Sequence, residues 1–257
     1  MTQQPLQLPL KAVVLAGGLG ARLRPLTYTI PKPLLPVGEK PILELLLEQL
    51  RLSCVHEAII ATGYQAEMIE AYFRDGARVG VKLTYHTETQ PLGTAGPLAA
   101  LAEQLVHPFF VVNGDILTRV DFADLYRFHL SQNTDLTVAI REVRWRIPYG
   151  TVQVEGPQLV AIHEKPVITH LINTGIYVVT PAALSRIPSN TAFDMPQLIT
   201  ELAQDRRVAC YRFSDFWLDV GNMQDLERAT ATVQRWEQNH DHAQEETEEE
   251  ILFAKPE

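Results

Sequence analysis

Four strand candidates, Ala12–Ala16, Ala58–Thr62, Lys82–Tyr85 and Phe109–Asn113, alternate with four helical patterns, Pro41–Leu52, Gln65–Phe73, Thr94–Leu105 and Asp121–Leu130. Strand–helix–strand repetition confines the first half of the chain to a mostly parallel, doubly wound sheet with helices on both faces. Ligands of such sheets sit beyond the carboxyl ends of the strands. Gly17, Gly63 and Gly114-Asp115 fall at three of those ends. The second half is richer in strands, with candidates at Leu136–Arg141, Thr151–Val154, Leu159–His163, Ile172–Val179 and Val208–Phe213. Helices are predicted at Pro181–Arg186, Met195–Gln204 and Asn222–Glu237. The expected fold is therefore α/β, a Rossmann-like three-layer sandwich around a mostly parallel mixed sheet. A small antiparallel sub-lobe is expected to cover the ligand cleft.

The first predicted strand runs into Gly17-Gly18-Leu19-Gly20-Ala21-Arg22, and Arg24 and Lys32 follow within one block. Glycines at a strand end expose backbone N–H groups, and the cations add fixed positive charge, which together suit a polyphosphate. A Gly-x-x-x-x-Gly-Lys-Ser/Thr P-loop is absent. The dinucleotide fingerprint also fails, because Leu23 stands where its third glycine is needed. That spacing removes a nicotinamide oxidoreductase. What stays open is a tight turn or a phosphate loop of another kind.

At 257 residues and 46% hydrophobic content, the chain suffices for one large domain with a buried core. It shows neither an uninterrupted apolar run of about 18 residues nor a basic, apolar secretory leader. A cytoplasmic protein without membrane contact is expected. Cys54 and Cys210 sit among apolar neighbours and read as buried thiols. The net charge of −9 is unevenly spread. Glu237–Glu257 carries eight acids and one base, which leaves 23 acids and 21 bases on residues 1–236. The expected division is a nearly neutral domain over 1–236 and an acidic, flexible tail over 237–257, whose Ile251-Leu252-Phe253 could dock on a partner. No basic face for nucleic acid is expected.

Two aspartates close apolar runs. Asp115 follows Phe109–Gly114, and Asp219 lies in Phe216-Trp217-Leu218-Asp219-Val220-Gly221. Each reads either as a cap for the next segment or as a ligand for Mg²⁺, which takes one or two carboxylates plus phosphate oxygens and water. Glu164-Lys165-Pro166 ends a strand. It reads either as an exposed charged turn or as a site whose lysine could meet a phosphomonoester as a point charge and whose glutamate could bind sugar hydroxyls. Gln90-Pro91-Leu92-Gly93-Thr94-Ala95-Gly96 is a second glycine turn, which reads either as a simple helix start with Thr94 near the cap or as a place where helix-start amides allow close approach of a flat base.

Leu15-Ala16-Gly17-Gly18-x-Gly20-x-Arg22-Leu23-x-Pro25-Leu26-Thr27, with Pro31-Lys32-Pro33-Leu34-Leu35-Pro36-Val37, resembles the signature of sugar-1-phosphate nucleotidylyltransferases (nucleotide-sugar pyrophosphorylases). The resemblance runs from about Lys11 to Ala229 and is greatest to mannose-1-phosphate guanylyltransferase-like members that lack a C-terminal β-helix. It implies transfer of a nucleotidyl group from an NTP to a sugar 1-phosphate, with Mg²⁺ as cofactor. It implies catalytic roles for Arg22, Lys32 and Asp115, and metal binding by Asp115 and Asp219. Nucleotide contacts are implied for Leu15, Ala16, Gly17, Gly18, Gly20, Gln90, Gly93, Thr94 and Gly114. Sugar-phosphate contacts are implied for Gly150, Glu164, Lys165, Asn173 and Thr174. The Leu-Gly-Thr-Ala-Gly form of the second turn is most like guanylyl-transferring members, whereas Gln90 is similar to pyrimidine-using ones. That leaves GTP with mannose or heptose 1-phosphate, or UTP, dTTP or CTP with glucose 1-phosphate. A regulatory relative that binds nucleotide sugars is the non-catalytic alternative. Ala21 departs from the family's usual threonine. A homodimer is the expected assembly.

Overall fold

The computed structural model describes residues 10–53 and 55–238. β1 (Leu10–Ala16) leads through two-residue strands β2 (Pro36–Val37) and β3 (Lys40–Pro41) to α1 (Ile42–Leu52). Next come β4 (Val55–Thr62), α2 (Ala66–Phe73), β5 (Lys82–Thr87), α3 (Gly96–Ala100), β6 (Phe109–Asn113), β7 (Ile116–Thr118) and α4 (Phe122–Gln132). The second half holds β8 (Leu136–Arg146), β9 (Thr151–Glu155), β10 (Gln158–His163), β11 (Val167–Val179), α5 (Met195–Gln204), β12 (Val208–Arg212), β13 (Trp217–Asp219) and α6 (Met223–Gln238).

Seven strands form one sheet in the order β12-β8-β11-β6-β1-β4-β5. β1, β4, β5 and β6 are mutually parallel, as are β8 and β12, while β11 runs antiparallel to both β6 and β8. The apolar runs of β1 and β6 are continuous because both faces are covered. Val14, Ile60 and Val112 turn to the side covered by Leu47 of α1, Ile69 of α2 and Leu125 of α4. Val13, Ile59 and Val111 turn to the side covered by Leu98 of α3 and Leu198 of α5. Three layers result, as the sequence predicts. A third cluster, with Leu23, Leu35, Leu218 and Val233, packs α6 beneath the glycine loop.

Some expectations need correction, and others fall outside the described residues. The helix predicted over Thr94–Leu105 is shorter: α3 covers Gly96–Ala100, and a single 3₁₀ turn follows at Ala102–Gln104. Its start is not capped by Thr94, whose hydroxyl instead accepts the Met195 N–H at 2.8 Å and serves α5. Cys210 is exposed, not buried, because β12 is an edge strand paired only with β8. Cys54 and the 239–257 segment lie outside the described residues. Among the described residues, no helix is long and apolar enough to cross a membrane.

One buried group gives the fold a pH signature. His129 of α4 is 2% exposed and its Nδ1 lies 2.9 Å from Thr137 Oγ1. Burial holds its pKa down to about 4. Below the ordinary histidine range the unfolded chain gains a proton that the folded chain refuses. Stability is therefore complete above about pH 6.5 and falls by up to about 3 kcal/mol as pH drops towards 4. Thermal unfolding between pH 7 and pH 4 should show this loss, and His129→Gln should flatten it. An identical slope in the variant would reject the assignment.

Candidate active site

The carboxyl ends of β1, β4 and β6 converge because the ladders are in register there, with Ala16 opposite Thr62 and Leu15 opposite Asn113. The glycine loop leaves β1 at this point. Gly20 has φ of +60°, and a Cβ there would stand 2.9 Å from Thr27 Cγ2 and 3.2 Å from Lys32 Cβ. Only glycine allows the loop to fold back this tightly. Thr27 fixes the fold by donating its hydroxyl to the Gly20 carbonyl at 2.8 Å. The loop thereby carries Lys32 inward, on a 3₁₀ turn flanked by Pro31 and Pro33.

Asp115 and Asp219 are 104 positions apart in sequence, yet the fold sets them side by side. β13 pairs antiparallel with β7 so that Asp219 opposes Ile116, and the Val220 N–H donates to the Asp115 carbonyl at 3.0 Å. Lys32 enters between the two acids. Its Nζ forms an ion pair with Asp115 Oδ2 and stands 3.8 Å from Asp219 Oδ1. The Lys32 side chain is 11% exposed, so this charge is largely withdrawn from water. Asp219 Oδ1 is sealed from solvent and has no hydrogen-bond donor. Burial first, then the neighbouring Asp115, push the Asp219 carboxyl above its usual range, against the pull of Lys32 and Arg22. Arg22 lies on the turn after Asp219, with Nη2 3.2 Å from where a Gly221 Cβ would be. Arg22, Lys32, Asp115 and Asp219 thus form one cluster beside the glycine loop.

This donor set fits a divalent cation. Two facing carboxylates, one with an orphaned oxygen, supply the hard oxygen ligands that Mg²⁺ prefers. Among the described residues no group of three metal-ligating side chains exists. The remaining ligands would have to come from substrate and water.

The other predicted residues fall into distinct environments. The Gly114 N–H donates to the Leu15 carbonyl at 2.8 Å and holds the Asp115 turn against the loop. Gly93, with φ of +77°, lies against Phe193 and Asp194. The Thr94 N–H and hydroxyl both donate to Asp194 Oδ1, at 2.9 and 3.2 Å. Gln90 is exposed. Asn173 and Thr174 sit at a bulge of β11, where the ladder with β8 shifts register. The Asn173 Nδ2 donates to the Tyr177 hydroxyl at 2.9 Å. Thr174 is buried, with its hydroxyl donating to the Ala139 carbonyl at 2.7 Å. Gly175, φ +74°, closes the bulge directly on the Asn113 side chain. Gly150 and Glu164 meet elsewhere, at the base of the β9–β10 hairpin, where Glu164 Oε2 is 3.0 Å from a would-be Gly150 Cβ. Lys165, held at φ +44°, shares that base and makes no ion pair among the described residues. Six residues of strand, roughly 20 Å of chain, separate the start of β11 from Asn173. The structure therefore brings the phosphate and metal candidates together, and gathers the Glu164-Lys165 candidates in a second group.

Sequence reasoning missed Glu88. Its Oε1 accepts the Leu92 N–H at 3.3 Å, and its Oε2 lies 3.2 Å from where a Gly17 Cβ would be. Burial raises its pKa. The signal available in sequence was its position just past β5, a strand end like those after β1 and β6.

Residues 11–235 match the nucleotidyl transferase family model. The chain belongs to the nucleotidyl transferase family. A relative from Dictyostelium discoideum, named mannose-1-phosphate guanylyltransferase catalytic subunit beta, is 36% identical over 225 residues, covering 84% of this chain and 62% of that protein. The chain thus spans about three fifths of the length of such relatives. HddC from Yersinia pseudotuberculosis, solved in complex with GMP-PN, is 25% identical with a TM-score of 0.67, covering 87% of this chain and 99% of HddC. A Bacillus anthracis structure described as a glucose-1-phosphate thymidylyltransferase has a TM-score of 0.71 at 23% identity, with 87% of this chain and 94% of that one covered, and bears on fold alone. Membership in the nucleotidyl transferase family fits the architecture: a glycine loop, two cations and two facing carboxylates at the carboxyl edge of a Rossmann-like sheet.

Proposed function

We propose that this nucleotidyl transferase joins an NTP to a sugar 1-phosphate and releases pyrophosphate, with GTP and mannose 1-phosphate as the preferred pair. The observation that carries this reading is Lys32 held between Asp115 and Asp219 beside the glycine loop. The sugar phosphate oxygen forms a bond to the α-phosphorus as the bond to pyrophosphate breaks, so the protein needs no nucleophile of its own. Positioning and charge stabilisation do the catalysis in such transfers. The loop from Leu15 to Gly20 offers its amides to the triphosphate. Arg22 and Lys32 neutralise the departing pyrophosphate. Mg²⁺ held by Asp115 and Asp219 would supply Lewis-acid charge to the triphosphate oxygens. Asn173, Gly150, Glu164 and Lys165 are proposed to bind the sugar phosphate, with Thr174 positioning the β11 bulge from its buried bond.

Glu88 favours guanine. A carboxylate only accepts hydrogen bonds, and guanine offers two adjacent donors, N1–H and the N2 amine. Uracil and thymine offer one donor flanked by two carbonyls. The Dictyostelium relative's name and the GMP-PN bound to HddC support the same base.

Pyrophosphate release by the purified full chain with Mg²⁺, each of four NTPs, and mannose or glucose 1-phosphate tests the reading. GTP with mannose 1-phosphate should be fastest, and no release with any pair would sink it. Glu88→Gln should lower the GTP/UTP ratio of kcat/KM by about 10-fold or more. An unchanged ratio would remove Glu88 from base selection.

A further inference from the structure

The turn over residues 90–96 is fastened by Phe193-Asp194-Met195, although Asp194 lies 100 positions beyond Thr94. The Phe193 N–H donates to the Leu92 carbonyl at 2.9 Å, and the Phe193 carbonyl accepts the Ala95 and Gly96 N–H groups at 2.9 and 3.0 Å. Asp194 Oδ1 accepts the N–H and the hydroxyl of Thr94, and that hydroxyl accepts the Met195 N–H. The Thr94 side chain is thereby committed to protein both as donor and as acceptor. A Cβ on Gly93 would stand 2.6 Å from Asp194 Oδ1, so only glycine lets the turn lie this close. Phe193 anchors the arrangement in the core beside Ala95, Leu98 and Met195. Asp194 itself is exposed, so substitutions there leave the core intact.

We infer that Asp194 is a positioning residue for base selection: it sets the 90–96 turn, and the turn aims Glu88. The inference rests on the guanine reading of Glu88. The Glu88 N–H donates to the Thr62 carbonyl at 2.9 Å and fixes the Glu88 backbone against the end of β4. Its carboxylate is directed separately, by the Leu92 N–H at 3.3 Å. Leu92 belongs to the fastened turn, with its carbonyl held by Phe193. The contacts therefore run from Asp194 through Thr94 and Leu92 to the carboxylate that would meet N1–H and the N2 amine of guanine. A misplacement of about 1 Å can cost a positioned group most of its effect. Asp194 also caps α5: its side chain accepts the Gln197 N–H, and its own N–H donates to Gln197 Oε1 at 2.8 Å. Capping alone would give it no influence on which nucleotide is used.

Steady-state pyrophosphate release by the full chain with Mg²⁺, mannose 1-phosphate and either GTP or UTP tests this. Serine at 194 still caps a helix but is too short to reach Thr94. D194S should therefore lower the GTP/UTP ratio of kcat/KM by about 10-fold, with KM for mannose 1-phosphate unchanged. D194N keeps the accepting oxygen and should keep the ratio. In an E88Q background D194S should change the ratio no further, because the two residues act as one unit. T94V breaks the same contact with the Asp194 cap in place and should lower the ratio likewise, even if D194S does not fold. The Tm gain with Mg²⁺ and GTP against Mg²⁺ and UTP reads the same selection without a sugar phosphate. Equal losses with both nucleotides, an unchanged ratio in T94V, or a further fall in the E88Q background would each overturn the inference. An unaltered chain that does not prefer GTP to UTP would instead reject the guanine reading, and this inference with it.

Discussion

Lys32→Met is expected to lower kcat by about 100-fold or more and to lower the Tm of the metal-free protein, with added Mg²⁺ recovering part of that Tm. Both effects come from one geometry. Lys32 is largely buried, paired with Asp115 and 3.8 Å from Asp219. Without substrate it is the cation that lets two carboxylates face each other. Removing one partner of a buried pair leaves charge uncompensated, which is far costlier than the pair is worth. With substrate present the same ammonium is the nearest fixed charge for the pyrophosphate. Methionine keeps the length of the stem and loses only the charge, so packing under the loop survives. Steady-state turnover and thermal unfolding with EDTA or Mg²⁺ are the measurements. Undiminished turnover would remove Lys32 from catalysis. A Tm drop that Mg²⁺ leaves untouched would mean the carboxylates do not meet a cation there.

Much of this arrangement is legible in the sequence. The buried strands of the parallel core announce themselves as continuous apolar runs, because a sheet covered on both faces needs no alternation. Gly17 and Asp115 follow such runs and land at the carboxyl edge. Pairing Asp115 with Asp219 needed more, because no local pattern places residues so far apart in sequence beside each other. The two-strand ladder of β7 and β13 does that, and only the resemblance implied it. Glu88 escaped notice because its importance comes from the close approach of Gly17, a contact between two loops. Thr94 was legible at a helix start but not as a support for the start of α5, where it accepts the Met195 N–H and donates to the N-cap Asp194, since helix-start rules omit long-range contacts of that kind. Cys210 was misjudged because an apolar neighbourhood in sequence says nothing about whether a strand lies at a sheet edge.

Asp219→Asn should separate stability from activity. Its carboxyl is raised above the usual range by burial and then by Asp115, and Oδ1 has no donor. A raised acid pKa means that the folded chain holds the proton more tightly than the unfolded chain. The group therefore favours folding at low pH and opposes it once pH has risen through its folded pKa. At neutral pH and without metal, the charged Asp219 is a cost that asparagine removes. The variant should be at least as stable as the unaltered chain in EDTA, and its Tm should vary less with pH between the carboxylate range and neutrality. The same change deletes one of two protein ligands, so the Tm gain on adding Mg²⁺ with GTP should shrink. Turnover should fall by about 100-fold or more. A variant less stable in EDTA and equally responsive to Mg²⁺ would make Asp219 a structural acid. A stabilised but inactive variant would identify the orphaned oxygen as a position where fold stability is sacrificed to bind a cation.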